Sequence, residues 1–256
     1  MSKKRMPWRH EGCDELVLEE KAGVIAATDK LLEINQKADR KYSVQLCGRE
    51  FVVHPNVFSP VLFGDTSFFL KKIPHTFAQE DFLEVGSGAG VIAVMAALGG
   101  VRRVVAVDIN PDAVANTEAN AVLHGVGARV SCRLGDVFDP LEEHERFDTI
   151  FWNAPFSYVE REDLTPLERA VYDPKYHGLK RYLKEGKKHL KPGGKLLIGF
   201  SSSSGHTDVL LRLAHEHQWA VRLVAETAYN DFDGVPTWLE LYEATQESEE
   251  LVGSRE

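Results

Sequence analysis

DFLEVGSGAGVIAV, at residues 81–94, is the stretch that decides the fold of this chain. Its apolar first half suits a buried parallel strand, and the apolar run from Val91 onward suits a helix that packs back on that strand. Gly86, Gly88 and Gly90 lie between the two. Because glycine tolerates positive φ and has no Cβ, this turn can bend sharply and let a ligand touch the backbone. The stretch therefore predicts a strand, a ligand-binding turn and a helix.

A second apolar run, VVAVD at residues 104–108, ends in the carboxylate of Asp108. Its spacing from the glycines is that of a strand–helix–strand unit, which places an acid beside the hydroxyls of a ribose. We therefore expect a nucleoside-type cofactor, with a purely structural glycine turn as the alternative. The dinucleotide fingerprint G-x-G-x-x-G does not fit, because Val91 stands where that pattern has its third glycine.

These two strands resemble those of the class I S-adenosylmethionine-dependent methyltransferases. Their first motif is E/D-x-G-x-G-x-G, which starts here at Glu84, and their second strand ends in an acid, here Asp108. The resemblance implies a doubly wound α/β fold and S-adenosylmethionine as cofactor. It implies cofactor contacts at Glu84, Gly86, Ser87, Gly88, Gly90, Asp108, Ile109 and Asn110.

A third strand is predicted at residues 129–134, and Gly135, Asp136 and Val137 follow it. Ligands of open parallel sheets bind beyond the carboxyl ends of the strands, so Glu84, Asp108 and Asp136 should reach one edge of the sheet. In methyltransferases the aspartate of such a Gly-Asp pair contacts the adenine amino group. The resemblance thus makes Asp136 and Val137 cofactor contacts, and a turn aspartate is the alternative.

The fourth predicted strand, residues 147–152, leads into Asn153, Ala154, Pro155 and Phe156. This tetrapeptide resembles the Asn-Pro-Pro-Tyr/Phe motif of enzymes that methylate glutamine amides or the amino groups of bases, with Ala154 in place of the first proline. Such nitrogens are poor nucleophiles because their lone pair is delocalised, so two acceptors that fix both N–H bonds can aim the lone pair at the sulfonium methyl group.

The resemblance makes all four residues of this motif catalytic. The Asn153 side-chain oxygen and the Ala154 carbonyl are the candidate acceptors, and Asn153 is also a candidate cofactor contact. Pro155 should hold Ala154 extended, because a residue before proline avoids the helical region. Phe156 would offer a flat face to the acceptor group. An ordinary loop after a strand is the alternative.

Upstream of the glycine turn, the apolar spacing predicts one or two helices over residues 14–38 and a hairpin over residues 42–54. The segment VFSPVLFGDTSFFL, residues 57–70, resembles the region before the first strand in release-factor glutamine methyltransferases. That resemblance implies that Phe58, Asp65 and Thr66 line the mouth of the cofactor or substrate site. For Asp65 the alternative is a plain N-cap of a helix over residues 66–73.

Downstream of the catalytic motif, the patterns predict helices at residues 180–190 and 207–217 and strands at 195–200, 220–227 and 237–244. We predict an α/β fold with one seven-stranded, mostly parallel, doubly wound sheet and an antiparallel last strand. Residues 1–56 would form a cap of helix and hairpin and residues 57–245 the methyltransferase domain. Residues 246–256 would form a disordered tail.

The net charge of −9 over 256 residues makes nucleic acid a less favoured partner, because such binding neutralises many phosphates. The three cysteines are odd in number and widely spaced, which predicts no metal site and a reducing, cytoplasmic location. No apolar run approaches the length that spans a membrane.

The sequence thus predicts an S-adenosylmethionine-dependent N-methyltransferase that acts on a planar or amine nitrogen, with a protein glutamine side chain as the first candidate and S-adenosylhomocysteine as the product. Small-molecule amines and nucleobases are the alternative acceptors. Two interpretations from other classes stay open at this point: a nicotinamide-dependent oxidoreductase and a non-catalytic cofactor-binding module.

Overall fold

The structure is a computed structural model that describes residues 16–73, 80–230, 234 and 236–246. The elements, in chain order, are α1 (Leu16–Gln36), β1 (Tyr42–Leu46), β2 (Arg49–Val53), α2 (Asp65–Lys72), β3 (Asp81–Val85), α3 (Val91–Leu98), β4 (Arg103–Asp108), α4 (Pro111–Leu123), β5 (Val130–Leu134), β6 (Phe147–Asn153), β7 (Ser157–Val159), β8 (Tyr172–Pro174), α5 (His177–Glu185), β9 (Leu190–Phe200), α6 (Thr207–Glu216), β10 (Trp219–Asn230) and β11 (Pro236–Gln246).

A seven-stranded sheet in the order β10-β11-β9-β6-β3-β4-β5 forms the centre of the molecule. The strands β9, β6, β3, β4 and β5 run parallel, whereas β11 is antiparallel to both β9 and β10. Every residue of β3 is buried, as expected for a parallel strand that is covered on both faces. The predicted doubly wound sheet with an antiparallel last strand is confirmed.

Alternate side chains of β3 enter two separate apolar cores. Phe82 packs with residues of α2, α3 and α4 on one face of the sheet. Leu83 and Val85 pack with residues of α5 and α6 on the other face. Because successive strand side chains point to opposite faces, this single strand anchors both helical layers and fixes the position of the glycine turn that follows it.

Two buried asparagines of α4 dock the N-terminal hairpin. Asn116 and Asn120 are one helical turn apart and so lie on the same face. The backbone N–H of Val52 donates to Asn120 Oδ1 at 2.9 Å, that of His54 donates to Asn116 Oδ1 at 2.8 Å, and both asparagine Nδ2 atoms donate to the Val52 carbonyl at 2.8 Å. Asn120 Nδ2 also donates to the carbonyl of Ala89, within the glycine turn.

The single helix α1 covers the edge of the site region. Asn35 Nδ2 donates to the Val57 carbonyl, and Asn35 Oδ1 accepts the Ser59 N–H, both at 2.9 Å. Tyr172 donates a hydrogen bond to Asp29. The division of the chain at residue 56 stays a prediction. Gln246, placed in the tail by the sequence, belongs to β11, and residues 247–256 lie outside the described part of the chain.

The predicted helix over residues 180–190 is displaced in the structure. The helix α5 begins at His177, because the buried carboxylate of Asp173 accepts the N–H groups of Gly178 (3.0 Å) and Leu179 (2.8 Å) in its first turn. It ends at Glu185, a short 3-10 turn follows, and β9 already begins at Leu190. The short parallel pair β7 and β8 was not predicted. None of the described helices is long and apolar enough to cross a membrane.

Replacement of Asn120 by Ala should destabilise the folded chain by roughly 2–4 kcal/mol, because it leaves buried backbone groups of Val52 and Ala89 without their partner. Urea unfolding followed by circular dichroism measures this change. The matched control is Glu118→Ala, an exposed position on the same helix, which should stay close to wild type. Equal stability of the Asn120 variant and the control would contradict the docking role.

Glu145 is a buried carboxylate that pairs with two partly exposed arginines, Arg103 of β4 and Arg133 of β5. Its side chain is 7% exposed and accepts hydrogen bonds from Arg103 and Arg133. These bonds, with Arg133 first, lower the pKa of Glu145 from 4.5 to about 2. A carboxylate with a lowered folded-state pKa stabilises the fold fully above its unfolded pKa and loses that contribution as the pH falls.

Glu145→Gln should therefore lower the free energy of unfolding at pH 7 by on the order of 2 kcal/mol, and this deficit should shrink as the pH falls from about 4.5 to about 2. Denaturant titrations at pH 7, 4 and 3 test this. Glu143→Gln, at a neighbouring exposed position, is the control. A deficit that stays constant over this pH range would show that the charge of Glu145 contributes nothing.

Candidate active site

A cavity of about 200 Å³ lies at the carboxyl ends of β3, β4, β5 and β6. It is where an open parallel sheet binds its ligands. The structure brings most of the predicted site residues together around it: Phe58, Thr66, Glu84, Gly86, Ser87, Gly88, Asp108, Ile109, Asn110, Asp136, Val137, Asn153 and Pro155. Four predicted residues, Asp65, Gly90, Ala154 and Phe156, are not among those that line it.

Within the glycine turn, Gly86 packs tightly against Trp152, whereas Gly88 faces open space. Gly86 has φ 67°, and a Cβ there would lie 3.0 Å from Trp152 Nε1. Gly88 has φ 54° with no atom within 4 Å of its Cβ position, so its backbone faces open space. Thr117 Oγ1 donates to the Gly88 carbonyl at 3.1 Å and hydrogen bonds with Ser87 Oγ at 3.0 Å. The turn is thus fixed by α4, a contact that the sequence did not predict.

Gly90 and Glu84 connect the glycine turn to the neighbouring helices α4 and α3. Gly90 is the N-cap of α3, and a Cβ there would lie 2.8 Å from Thr117 Cα. The role that the structure gives Gly90 is therefore close packing. Glu84 Oε2 accepts the Ala93 N–H at 2.8 Å in the first turn of α3. Burial, followed by the nearby charge of Asp108, raises the pKa of Glu84 well above its usual range.

Asp108 connects the glycine turn to the start of α4. Its Oδ2 accepts the Gly88 N–H and its Oδ1 accepts the Asn110 N–H, each at 2.8 Å. Burial raises the pKa of this carboxyl, which is 8% exposed. A carboxylate has about four lone-pair sites, so two bonds leave acceptor capacity toward the cavity. Ile109 beside it is 37% exposed and presents an apolar surface.

Asp136 and Val137 form the far wall of the cavity. Val137 is buried and has φ 52°, which turns the chain sharply after the strand. Asp136 is half-exposed and forms an ion pair with Arg181 of α5 at 3.0 Å. Arg181 also lines the cavity and was not predicted, because nothing in the local pattern marks an arginine 45 residues away as a partner.

Asn153 lines both this cavity and a smaller one of about 50 Å³. Its Nδ2 donates to Asp65 Oδ2 at 2.7 Å. Its Oδ1 is buried and has no hydrogen-bond partner among the described residues. The alternative interpretation of Asp65 as an N-cap is wrong, because Gly64 is the N-cap of α2 and Asp65 is the first helical residue.

Ala154 and Phe156 line the smaller cavity, whereas Pro155 between them lines the larger one. The Ala154 N–H donates to the Gly199 carbonyl at 3.2 Å. Tyr176, which the sequence did not single out, donates to the Phe156 carbonyl at 2.8 Å and accepts the His206 N–H. Hydrogen bonds to the backbone of Ala154 and of Phe156 therefore hold the motif in place.

Trp152 is packed between two glycines at the base of the larger cavity. Besides its approach to Gly86, a Cβ at Gly178 would lie 2.8 Å from Trp152 Cη2. The indole is 6% exposed and lines the cavity. It fixes the spacing between the glycine turn and α5, and only the three-dimensional packing reveals this.

The arrangement fits a nucleoside ligand. The open face of Gly88 admits it to the backbone, Asp108 has acceptor capacity for a pair of hydroxyls, and Ile109 offers an apolar surface to a base. Asn153, whose buried Oδ1 has no hydrogen-bond partner among the described residues, lines both this cavity and the smaller one. The site can therefore bring a nucleoside cofactor and a second substrate together.

Comparison with known proteins identifies the family of this chain. The profile of the methyltransferase small domain matches residues 48–228. A putative protein N5-glutamine methyltransferase of Methanocaldococcus jannaschii is 30% identical over 174 residues, which cover 66% of this chain and 85% of that relative. The release factor glutamine methyltransferase of Koribacter versatilis is 33% identical over 60% of this chain, and the chain spans 59% of that enzyme.

Solved structures share the fold. A 16S rRNA methyltransferase of T. Thermophilus, in complex with S-adenosylmethionine and guanosine, gives a TM-score of 0.59 at 19% identity and covers 81% of this chain and 50% of its own. A ribosomal protein L11 methylase of Lactobacillus delbrueckii gives 0.54 at 16% identity, over 80% of this chain and all of its own.

The family match decides against the oxidoreductase and the non-catalytic module, because it identifies a methyl-transferring enzyme. The glycine turn, the acid at the end of the second strand and the matched residues lead to one conclusion: this chain belongs to the methyltransferase small domain family of S-adenosylmethionine-dependent enzymes.

Proposed function

We propose that this enzyme methylates the side-chain nitrogen of a protein glutamine bound beside Asn153, which lines both cavities. The observation that carries the proposal is the buried Asn153 Oδ1, which has no partner among the described residues and lies next to the Ala154 backbone of the same motif. A buried acceptor without a donor is costly, and a substrate N–H would satisfy it. The relatives named as glutamine methyltransferases support the choice of acceptor. They include a ribosomal protein uL3 glutamine methyltransferase of Bradyrhizobium diazoefficiens, which is 33% identical over 53% of this chain and 45% of its own length.

S-adenosylmethionine, when bound, supplies a methyl group on a positively charged sulfur. The glycine turn and Asp108 would hold its nucleoside portion, and Ile109, Asp136 and Val137 would contact its base. Phe58 and Thr66, near Asn153 in the larger cavity, would contact its other end. The remaining predicted contacts, Glu84, Ser87, Gly90 and Asn110, would act by shaping the turn.

The catalytic contribution of the chain is alignment of the acceptor nitrogen. Asn153 Oδ1 and the Ala154 carbonyl would each accept one N–H of the amide, which leaves the nitrogen lone pair pointing toward the methyl group. Pro155 would keep Ala154 extended, and Phe156, which lines the smaller cavity, would pack beside the amide plane. The amide nitrogen becomes acidic as the new bond forms, so no strong base is needed. Such alignment can lower a barrier by ~7–11 kcal/mol.

A small amide or amine is the second candidate acceptor. Residues of α1, namely Ala27, Thr28 and Leu31, line the smaller cavity, so this helix covers the acceptor side of the site. A covered site favours a small substrate, whereas a glutamine in a protein loop would have to reach past α1.

Replacement of Asn153 by Ala should leave S-adenosylhomocysteine binding near wild type and lower turnover by about 10²–10³-fold, because one preorganised acceptor is lost. Transfer of tritiated methyl groups to release factors, to ribosomal protein uL3 and to small amides measures turnover. Gln45→Ala, which removes an exposed amide of the hairpin, is the control. Unchanged turnover in the Asn153 variant would refute the catalytic assignment, and labelling of small amides alone would favour the second candidate.

Replacement of Asp108 by Ala should weaken binding of both S-adenosylmethionine and S-adenosylhomocysteine by about tenfold or more, because the hydroxyl acceptor and the Gly88 N–H partner are both lost. Isothermal titration calorimetry measures the two dissociation constants. Asp112→Ala, at an exposed position four residues along, should bind as the wild type does. Equal affinity in the Asp108 and Asp112 variants would exclude Asp108 from the cofactor site.

A further inference from the structure

The orientation of the Asn153 amide needs an explanation. An amide can rotate by 180° about its last side-chain bond with little change in shape, and this exchanges its acceptor oxygen with its donor NH₂ group. A proline after an asparagine would restrict the asparagine backbone, but the next residue here is Ala154. The Ala154 N–H bond to Gly199 at 3.2 Å fixes the main chain and leaves the side-chain amide undetermined.

Asp65 supplies the missing restraint. It is 3% exposed, and both of its carboxylate oxygens accept short hydrogen bonds. Oδ1 accepts the backbone N–H of Thr66 at 2.7 Å, and Oδ2 accepts the NH₂ group of Asn153 at 2.7 Å. Burial raises the pKa of Asp65, and the hydrogen bonds from Asn153 and Thr66 oppose this rise because they favour the carboxylate. An ionised Asp65 has no proton to donate to the Asn153 oxygen, so in this state the NH₂ group of Asn153 faces Asp65 and Oδ1 faces away from it.

We propose that Asp65 is a positioning residue that fixes the Asn153 amide with its oxygen available to the acceptor N–H. The proposal rests on the proposed function of Asn153. It assigns Asp65 a role that differs from the direct cofactor contact implied by the family resemblance, since Asp65 lines the smaller cavity and Thr66 lines the larger one. The two residues of the pair, Asp65 and Asn153, are 88 positions apart in sequence.

The Asp65→Asn variant tests the hydrogen-bonding role of Asp65 separately from its packing, because aspartate and asparagine side chains have the same shape. The oxygen of the new amide would accept the fixed Thr66 N–H, and its NH₂ group would face Asn153. The Asn153 amide would then turn its own oxygen toward position 65. We expect kcat to fall by on the order of 10²-fold, while the melting temperature and the dissociation constant for S-adenosylhomocysteine stay near wild type. Asp112→Asn is the matched control at an exposed position.

The exchanged pair, Asp65→Asn with Asn153→Asp, is the decisive variant. The new amide at position 65 would donate to one oxygen of the new carboxylate at position 153, whose other oxygen is again an acceptor toward the substrate. The double variant should therefore be at least tenfold more active than either single variant, a non-additive result that independent structural losses do not produce. Release factor and ribosomal protein uL3 serve as the acceptors, with tritiated S-adenosylmethionine as the methyl donor.

A readout that needs no acceptor is the ¹⁵N–¹H spectrum of the Asn153 side-chain amide, identified by its loss in Asn153→Ala. In wild type its protons should exchange slowly with solvent, and in Asp65→Ala they should exchange rapidly. Loss of activity in Asn153→Ala together with full activity in Asp65→Asn would overturn this proposal and leave the proposed function intact. Full activity in Asn153→Ala would overturn both. An Asn153 amide that is unaffected in Asp65→Ala would overturn the positioning contact alone.

Discussion

The site depends on a set of buried hydrogen bonds made by one face of α4. Asn116, Thr117 and Asn120 are fully buried, and each must find partners because an unsatisfied polar group in an interior is costly. Their partners are the edge of β2 and the carbonyls of Gly88 and Ala89. The same helix thus holds the N-terminal hairpin and the ligand-binding turn, which joins two parts of the chain that are distant in sequence.

The fold and the location of the site could be predicted because they arise from local patterns. A strand buried on both faces is apolar throughout, so β3, β4 and β6 are visible in the sequence. Gly86 and Gly88 adopt a positive φ, which glycine tolerates because it has no Cβ. Parallel strands also place their carboxyl ends at the same edge of the sheet. These two rules account for the positions of Asp108 beside the turn and of Asn153 at the end of β6.

What could not be predicted depends on pairs of residues far apart in the chain. Asp65 and Asn153 meet across 88 positions, and Tyr176 reaches the Phe156 carbonyl from a loop with no periodic pattern. The start of α5 was missed because Asp173, whose carboxylate accepts N–H groups of the first turn of the helix, lies in the unpredicted strand β8. The contact of Thr117 with the glycine turn was hard to predict, because in the sequence Thr117 is only one of three polar residues on the same face of α4.

The packing of Trp152 limits which substitutions the neighbouring positions can accept. A methyl group at position 178 would overlap the indole at 2.8 Å, and a core this dense does not absorb such an overlap without loss. Position 178 can therefore acquire a side chain only if position 152 becomes smaller, and position 86 is subject to the same condition in addition to its φ of 67°. Positions 152 and 178 are therefore coupled, whereas position 86 stays restricted by its positive φ whatever residue stands at position 152.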